Sequence, residues 1–166
     1  LLASACLPQI YQAVEIDGRA YWDGGYTGNP PLWPLFYRCA SRDIMLVQIN
    51  PIERDEVPRD ARAIRDRVNE ISFNSTLLNE LRAINTIDSL LDRGHRESTD
   101  YRKILIHPIE DQATMQRYTA TSKMSPDTEM LSALRAAGSA AMETWLSRHK
   151  SKLGKESSVN LRERYL

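Results

Sequence analysis

Asp43-Ile44-Met45-Leu46-Val47-Gln48-Ile49-Asn50, closed by Pro51, is an apolar run that is continuous rather than alternating. Short, partly β-branched and ended by a proline, it fits a strand covered on both faces, as in a parallel α/β sheet. Lys103-Ile104-Leu105-Ile106-His107-Pro108 is a second run of this kind. Between them, roughly Arg59 to Asp92, Ile64, Val68, Ile71, Leu78, Leu81, Ile84 and Leu91 recur at helical spacings and mark one apolar stripe. Phe73-Asn74-Ser75-Thr76 is the point at which that helix could divide in two. Strand, long crossover, strand is the grammar of a βαβ unit, so the expected fold class is α/β, with mostly parallel strands, flanking helices and a helical C-terminal region.

Upstream of this unit, Val14-Glu15-Ile16 and Arg19-Ala20-Tyr21-Trp22 flank Asp17-Gly18, a strong short hairpin signal. Leu1 to Leu7 suits a helix end stopped by Pro8, while Pro30, Pro31 and Pro34 argue against regular structure. Leu32-Trp33-Pro34-Leu35-Phe36 is apolar enough to pack down. Downstream, Arg93 to Tyr101 reads as a polar turn and Glu110 to Lys123 as a short helix plus loop. Ser125-Pro126-Asp127 opens a last long helix whose period is kept by Met130, Leu134, Ala137, Ala141, Met142 and Trp145. Arg148, His149, Lys150 and Lys152 complement its negative end, Gly154 is its expected C-cap, and Val159, Leu161 and Tyr165 are expected to dock back.

The 166 residues can bury a real core, and 42% hydrophobic with 27% charged residues is the balance of a globular protein. Twenty-two basic residues offset twenty-two acidic ones, which argues against a dedicated nucleic-acid binder. No apolar run reaches the roughly 18 residues of a membrane span. Cys6 and Cys39 have no metal or redox spacing, read as buried reduced thiols, and lean the chain toward a cytoplasmic, reducing compartment.

The stretch richest in chemistry is Tyr21-Trp22-Asp23-Gly24-Gly25-Tyr26-Thr27-Gly28-Asn29-Pro30-Pro31. A hairpin arm delivers one carboxylate to its end, and two glycines allow the backbone to turn at once through positive φ. Asp23 is the one candidate catalytic residue, with Gly24 and Gly25 supporting it. A turn aspartate that satisfies backbone amides is the competing interpretation. His107 stands at a strand end where a base could sit, although a lone histidine there is more often structural. No Gly-x-Ser-x-Gly, phosphate-binding loop or HExxH is present.

Asp23-Gly24-Gly25 followed by Asn29-Pro30 resembles the Asp-Gly-Gly/Ala block of patatin-like lipid acyl hydrolases, the bacterial patatin-like phospholipases in particular. Ala3-Ser4-Ala5-Cys6-Leu7-Pro8 is similar to the Ala-Ser-x-x-x-Pro segment that precedes this block. Later segments agree in order: Asn50-Pro51 after a strand, Leu131 to Gly138, Trp145-Leu146, and Ser157-Ser158-Val159. The resemblance implies a partial patatin-like fold, with residues 1–166 as the C-terminal portion of one domain. It implies a Ser-Asp dyad in which only Asp23 maps onto this chain, the serine elbow and oxyanion loop belonging upstream of Leu1. It also implies an acyl lipid or phospholipid substrate, peripheral contact with membranes, and no metal or organic cofactor.

An ordinary aspartate is a feeble base toward a serine hydroxyl, so desolvation by Tyr21, Trp22 and Tyr26 is expected to assist it. The rival is a non-catalytic relative serving as a lipid-facing or protein-binding module. Along the long helix, Arg62, Arg65 and Arg67 would suit anionic headgroups, offset by Asp60, Asp66 and Glu70. A nucleotide-binding α/β protein ranks far lower, because the phosphate loop is missing.

Overall fold

Two left-handed residues, Asp17 (φ 51°) and Gly18 (φ 72°), turn the chain between β1 (Val14–Ile16) and β2 (Arg19–Tyr21), which pair antiparallel. The Asp-Gly turn signal is borne out. The computed structural model describes residues 1–8, 10–94, 101–118 and 127–166. His95 and the expected Ser125-Pro126 helix start lie outside the described residues.

After the hairpin come α1 (Trp33–Arg38), β3 (Asp43–Gln48), α2 (Ala61–Asp92) and β4 (Leu105–Glu110). Strands β3 and β4 pair in parallel, from Asp43 opposite Leu105 to Gln48 opposite Glu110, so α2 is the crossover of a βαβ unit. The molecule is mixed α/β. Its strands are divided, however, between this parallel pair and the separate hairpin, so the described sheets are two-stranded. Then follow α3 (Gln112–Met115), α4 (Thr128–His149) and α5 (Leu161–Tyr165). Pro34 sits in the first turn of α1, the place where a proline needs no amide partner, so the prolines do not exclude a helix there. Asp127 caps α4, accepting the Met130 N–H at 2.7 Å.

Helix α2 is one helix, unbroken at Phe73–Thr76, and Asp60 caps it by accepting the Arg62 and Ala63 N–H groups. Leu77, Leu81 and Ile84 cover Ile44, Leu46 and Ile106, and Leu161 and Tyr165 dock on the same core, as expected of the tail. The N-terminal half of α2 departs from the expected stripe. Ile64, Val68 and Ile71 are exposed, whereas Asp66, Glu70 and Asn74 are buried. The cause is what each turn faces. Asn74 Nδ2 donates to Pro51 O at 2.9 Å, just beyond the end of β3, so the earlier turns overhang the sheet and meet loops rich in carbonyls. There Glu70 binds Arg54 and Arg67, Arg54 also donates to Gln116 O and Tyr118 O, and Arg67 donates to Ile52 O. Arg67 is thus committed inside the protein rather than offered to headgroups.

The two faces of β3 also differ. Ile44, Leu46 and Gln48 are buried, but Met45 and Val47 are exposed, so the strand is covered fully on one face only. On the second face, α4 meets the sheet through Trp145, whose ring stands edge-on to His107 with centroids 5.5 Å apart. Trp145 Nε1 donates to Ser158 Oγ, and Ser158 N–H to Ile106 O, closing the outer edge of β4. Gly154 does adopt positive φ, 71°, but after a 3-10 turn at Lys150–Lys152 rather than directly on the helix end.

Asp88 tests the core's electrostatics. Its Oδ1 is buried without a hydrogen-bond partner among the described residues, and burial pushes its pKa from 3.8 up to about 6. Below the ordinary value both folded and unfolded chains hold the proton, and nothing is lost. As pH rises through 6 the folded state must accept a desolvated charge, so stability falls over that window. The shift corresponds to about 3 kcal/mol, reduced to about 2 by partial exposure. Asp88→Asn is therefore expected to stabilise the protein by about 2 kcal/mol at pH 8 and negligibly at pH 4. Urea unfolding at both pH values checks this; an equal effect at the two would contradict it.

Candidate functional site

The Asp-Gly-Gly turn is built from the backbone outward. Asp23 follows β2, and its N–H donates to Cys6 O at 2.9 Å, tying the turn to the segment after the 3-10 helix Ala3–Ala5. Cys6 is itself buried, its thiol donating to Gln12 O at 3.0 Å. Asp23 caps a second 3-10 turn, Gly24–Tyr26, and its Oδ1 accepts the Gly25 N–H at 2.7 Å. The Thr27 and Gly28 N–H groups both return to Gly24 O.

Helix α2 then pins the loop along one strip of its surface. Gly25 lies against Phe73, and the Tyr26 and Phe73 rings meet at 5.1 Å. The Asn29 N–H donates to Thr76 Oγ1 at 3.0 Å, and the Asn29–Pro30 peptide is cis. Glu80 Oε2 accepts the Leu32 and Trp33 N–H groups at 2.7 and 2.8 Å, and its pKa is raised by burial despite them. Phe73 adjoins Asn74, which holds Pro51 beyond β3, so Asp23 is fastened at the C-terminal end of the parallel strands. That is the end where open α/β sheets bind ligands.

The glycines act differently from the expectation. Positive φ in glycine occurs at Gly18, Gly94 and Gly154, not at Gly24 or Gly25. Gly25 is crowded instead: a Cβ there would lie 3.0 Å from Phe73 Cε1 and 3.1 Å from Asp23 Oδ1, so both side chains would have to give way. A Cβ on Gly24 meets nothing within 4 Å. Gly25→Ala is expected to cost about 1–2 kcal/mol by overpacking, and Gly24→Ala less than about 0.5 kcal/mol. Thermal melts of the two variants separate them; equal losses would mean that the Phe73 contact is not what Gly25 serves.

The apolar wall expected around Asp23 is thin. Tyr21, Trp22 and Tyr26 are 40%, 50% and 41% exposed, and Trp22 Nε1 turns away to Tyr11 O. Asp23 itself is half-buried. Three cavities are lined by other residues, so none of these three has Asp23 as a wall.

His107 is not placed with Asp23. It is wholly buried, its Nε2 lies 2.9 Å from Asp43 Oδ1, and Trp145 covers its ring. Asp43 Oδ1 also accepts the Gly154 N–H at 2.8 Å, and that bond, assisted by His107, lowers the carboxyl's pKa. The pair fastens β3, β4 and the chain after α4, a structural role. Cys39, expected to be buried, is an exposed free thiol. Among the described residues no group of three or more His, Cys, Asp or Glu is arranged to hold a metal, and no helix is long and apolar enough to cross a membrane.

Sequence reasoning missed Thr76 and Glu80 as anchors, for which no local pattern exists. It also missed α5 as a helix, although Asn160 with Glu163 three residues on is a capping signal. Comparison with protein-family models, with curated proteins and with solved structures finds no match.

Proposed function

We propose that this chain supplies the acid of a Ser-Asp dyad in a patatin-like lipid acyl hydrolase, acting on acyl esters of phospholipids or related lipids. The observation that carries this is the anchoring of the Asp23-Gly24-Gly25 turn on Phe73 of α2, the residue before the Asn74 that binds Pro51 just beyond β3. The order of motifs from Ala3-Ser4 to Ser157-Ser158 supports it. Gly25 N–H occupies Oδ1, which fixes the carboxylate plane and leaves Oδ2 to take the proton of a serine hydroxyl. The serine then attacks the ester carbonyl, and the C–O bond to the lipid alcohol breaks as Asp23 passes its proton to the departing oxygen. Asp23 next takes a proton from the water that attacks the acyl-enzyme, returning it to serine as the fatty acid leaves. The proposed serine and oxyanion donors stand on polypeptide preceding Leu1. Because Tyr21, Trp22 and Tyr26 are half exposed, that same polypeptide has to provide the desolvation of Asp23. A cytoplasmic protein with peripheral access to membranes is the setting this chemistry fits.

One observation favours the second possibility, a non-catalytic lipid-facing or protein-binding module. The Asp23 to Gly25 hydrogen bond is also what a purely structural turn aspartate makes. The deciding experiment measures fatty-acid release from phosphatidylcholine vesicles by a polypeptide joining a serine-bearing segment to this chain, with and without Asp23→Asn. Turnover by the variant within tenfold of the parent would leave the structural role standing alone.

A further inference from the structure

Beyond the C-terminal end of β3, residues 53–60 and the first turns of α2 border an open cavity of about 690 Å³. Asp66 and Glu70, two of its lining residues, are 8% and 6% exposed. Glu70 is taken up by Arg54 and Arg67. Asp66 is not taken up: it makes no hydrogen bond or ion pair among the described residues, and Arg54 acts on it only through space. A carboxylate so deeply buried and bare of donors is costly, and a ligand in the cavity it lines would supply what it lacks. We infer that this cavity binds a small uncharged polyol, a cyclic one such as a sugar ring, through adjacent hydroxyl groups that donate to Asp66. The inference goes beyond the hydrolase proposal and does not depend on it.

The charges around Asp66 select an uncharged ligand. Arg54 and Arg67 bring two positive charges, and Glu70 and Asp66 two negative ones, so the buried part of the cavity is balanced before anything enters. At the exposed rim Glu56 and Arg59 offset each other, and Asp60 is occupied by the Arg62 and Ala63 N–H groups of the helix cap. An ammonium or a carboxylate would upset that balance where an uncompensated charge is expensive. A divalent metal is disfavoured too, because among the described residues no group of three His, Cys, Asp or Glu is arranged to hold one. Hydroxyl groups fit because they both donate and accept. The Asp66 carboxylate accepts through two oxygens, which a pair of adjacent hydroxyls can span. A guanidinium carries five N–H groups, of which Glu70 and Ile52 O take two from Arg67, leaving others to donate to the same hydroxyl oxygens. Val57, Pro58 and Ala63 give an apolar stretch for the C–H face of a ring. The place is also suitable, since open α/β sheets take ligands beyond the C-terminal ends of their strands.

The test uses three probes built on one six-membered ring: myo-inositol, cyclohexanol and cyclohexylammonium. Each is titrated into the chain while the methyl resonances of Val57 and Ala63 are followed by NMR. myo-Inositol is expected to give saturable shifts and to bind at least about tenfold tighter than cyclohexanol, which lacks the second hydroxyl. Asp66→Asn keeps the size of the side chain but replaces one acceptor oxygen by a donor, and should weaken myo-inositol by about tenfold. Ala63→Leu is the second variant. It narrows the cavity from a helical position, leucine is a good helix former, and no buried charge is touched. Followed at Val57, it should weaken myo-inositol while the melting temperature is kept. No saturable shift with myo-inositol, equal binding of myo-inositol and cyclohexanol, or unchanged binding in either variant overturns the inference. Tighter binding of cyclohexylammonium than of myo-inositol would assign the cavity to a cation and overturn it too. No readout passes through Asp23 or a serine. Loss of this inference therefore leaves the dyad proposal intact, and normal turnover in Asp23→Asn would leave the binding result intact.

Discussion

Asp23→Asn, placed in a polypeptide that carries the serine as well, is expected to reduce acyl-ester turnover by about 10²–10⁴-fold, the usual contribution of a positioned general base. The fold should survive. Asparagine keeps the size of the side chain, and its Oδ1 can still accept the Gly25 N–H, so the 3-10 turn retains its cap. What is lost is the proton acceptor. An amide oxygen has no useful basicity toward a hydroxyl, and a carboxylate does. Asp23→Ala is the informative companion. It removes the base and the cap together, and should cost about 1 kcal/mol of stability besides the activity. If Asp23→Ala melts earlier while Asp23→Asn melts normally and both lose activity, the chemical and structural roles are separated. If Asp23→Asn turns over near the parent rate, Asp23 is a turn residue and nothing more.

Glu70→Ala is expected to destabilise the protein by about 3 kcal/mol, although Glu70 lies on what the sequence reads as the polar side of α2. Glu70 is 6% exposed and receives both Arg54 and Arg67, so its loss strands two guanidiniums against the loops beyond β3. The figure sits at the low end of the range for breaking a buried pair. Both arginines keep backbone carbonyl partners, and their side chains are 19% and 23% exposed along an open cavity of about 690 Å³. The next residue, Ile71, points to the other side and is 54% exposed, so Ile71→Ala should change stability by less than about 0.5 kcal/mol. Urea titration of the two variants decides which side of the helix is buried. A greater loss from Ile71→Ala than from Glu70→Ala would restore the apolar stripe and refute the overhanging arrangement.

By itself the sequence determined the local features. The Asp17-Gly18 hairpin turn, the two apolar strand runs, the long crossover helix and the last long helix follow from φ preferences, proline stops and side-chain period, which neighbouring residues set alone. That last helix is capped by Asp127, however, which the sequence places inside its first turn. The location of the candidate acid at a strand end was legible for the same reason. Only the tertiary structure decided which faces are covered. Along α2 the apolar period continues smoothly from Ile64 to Ile84, yet the sheet ends near Pro51. Short of that point the helix covers sheet and buries leucine and isoleucine; beyond it, it meets loops and buries Asp66, Glu70 and Asn74 instead. Likewise Gly25 is crowded because Phe73, distant in sequence, presses against it. Periodicity reports which residues share a side of an element; what stands opposite that side is fixed by packing between distant segments.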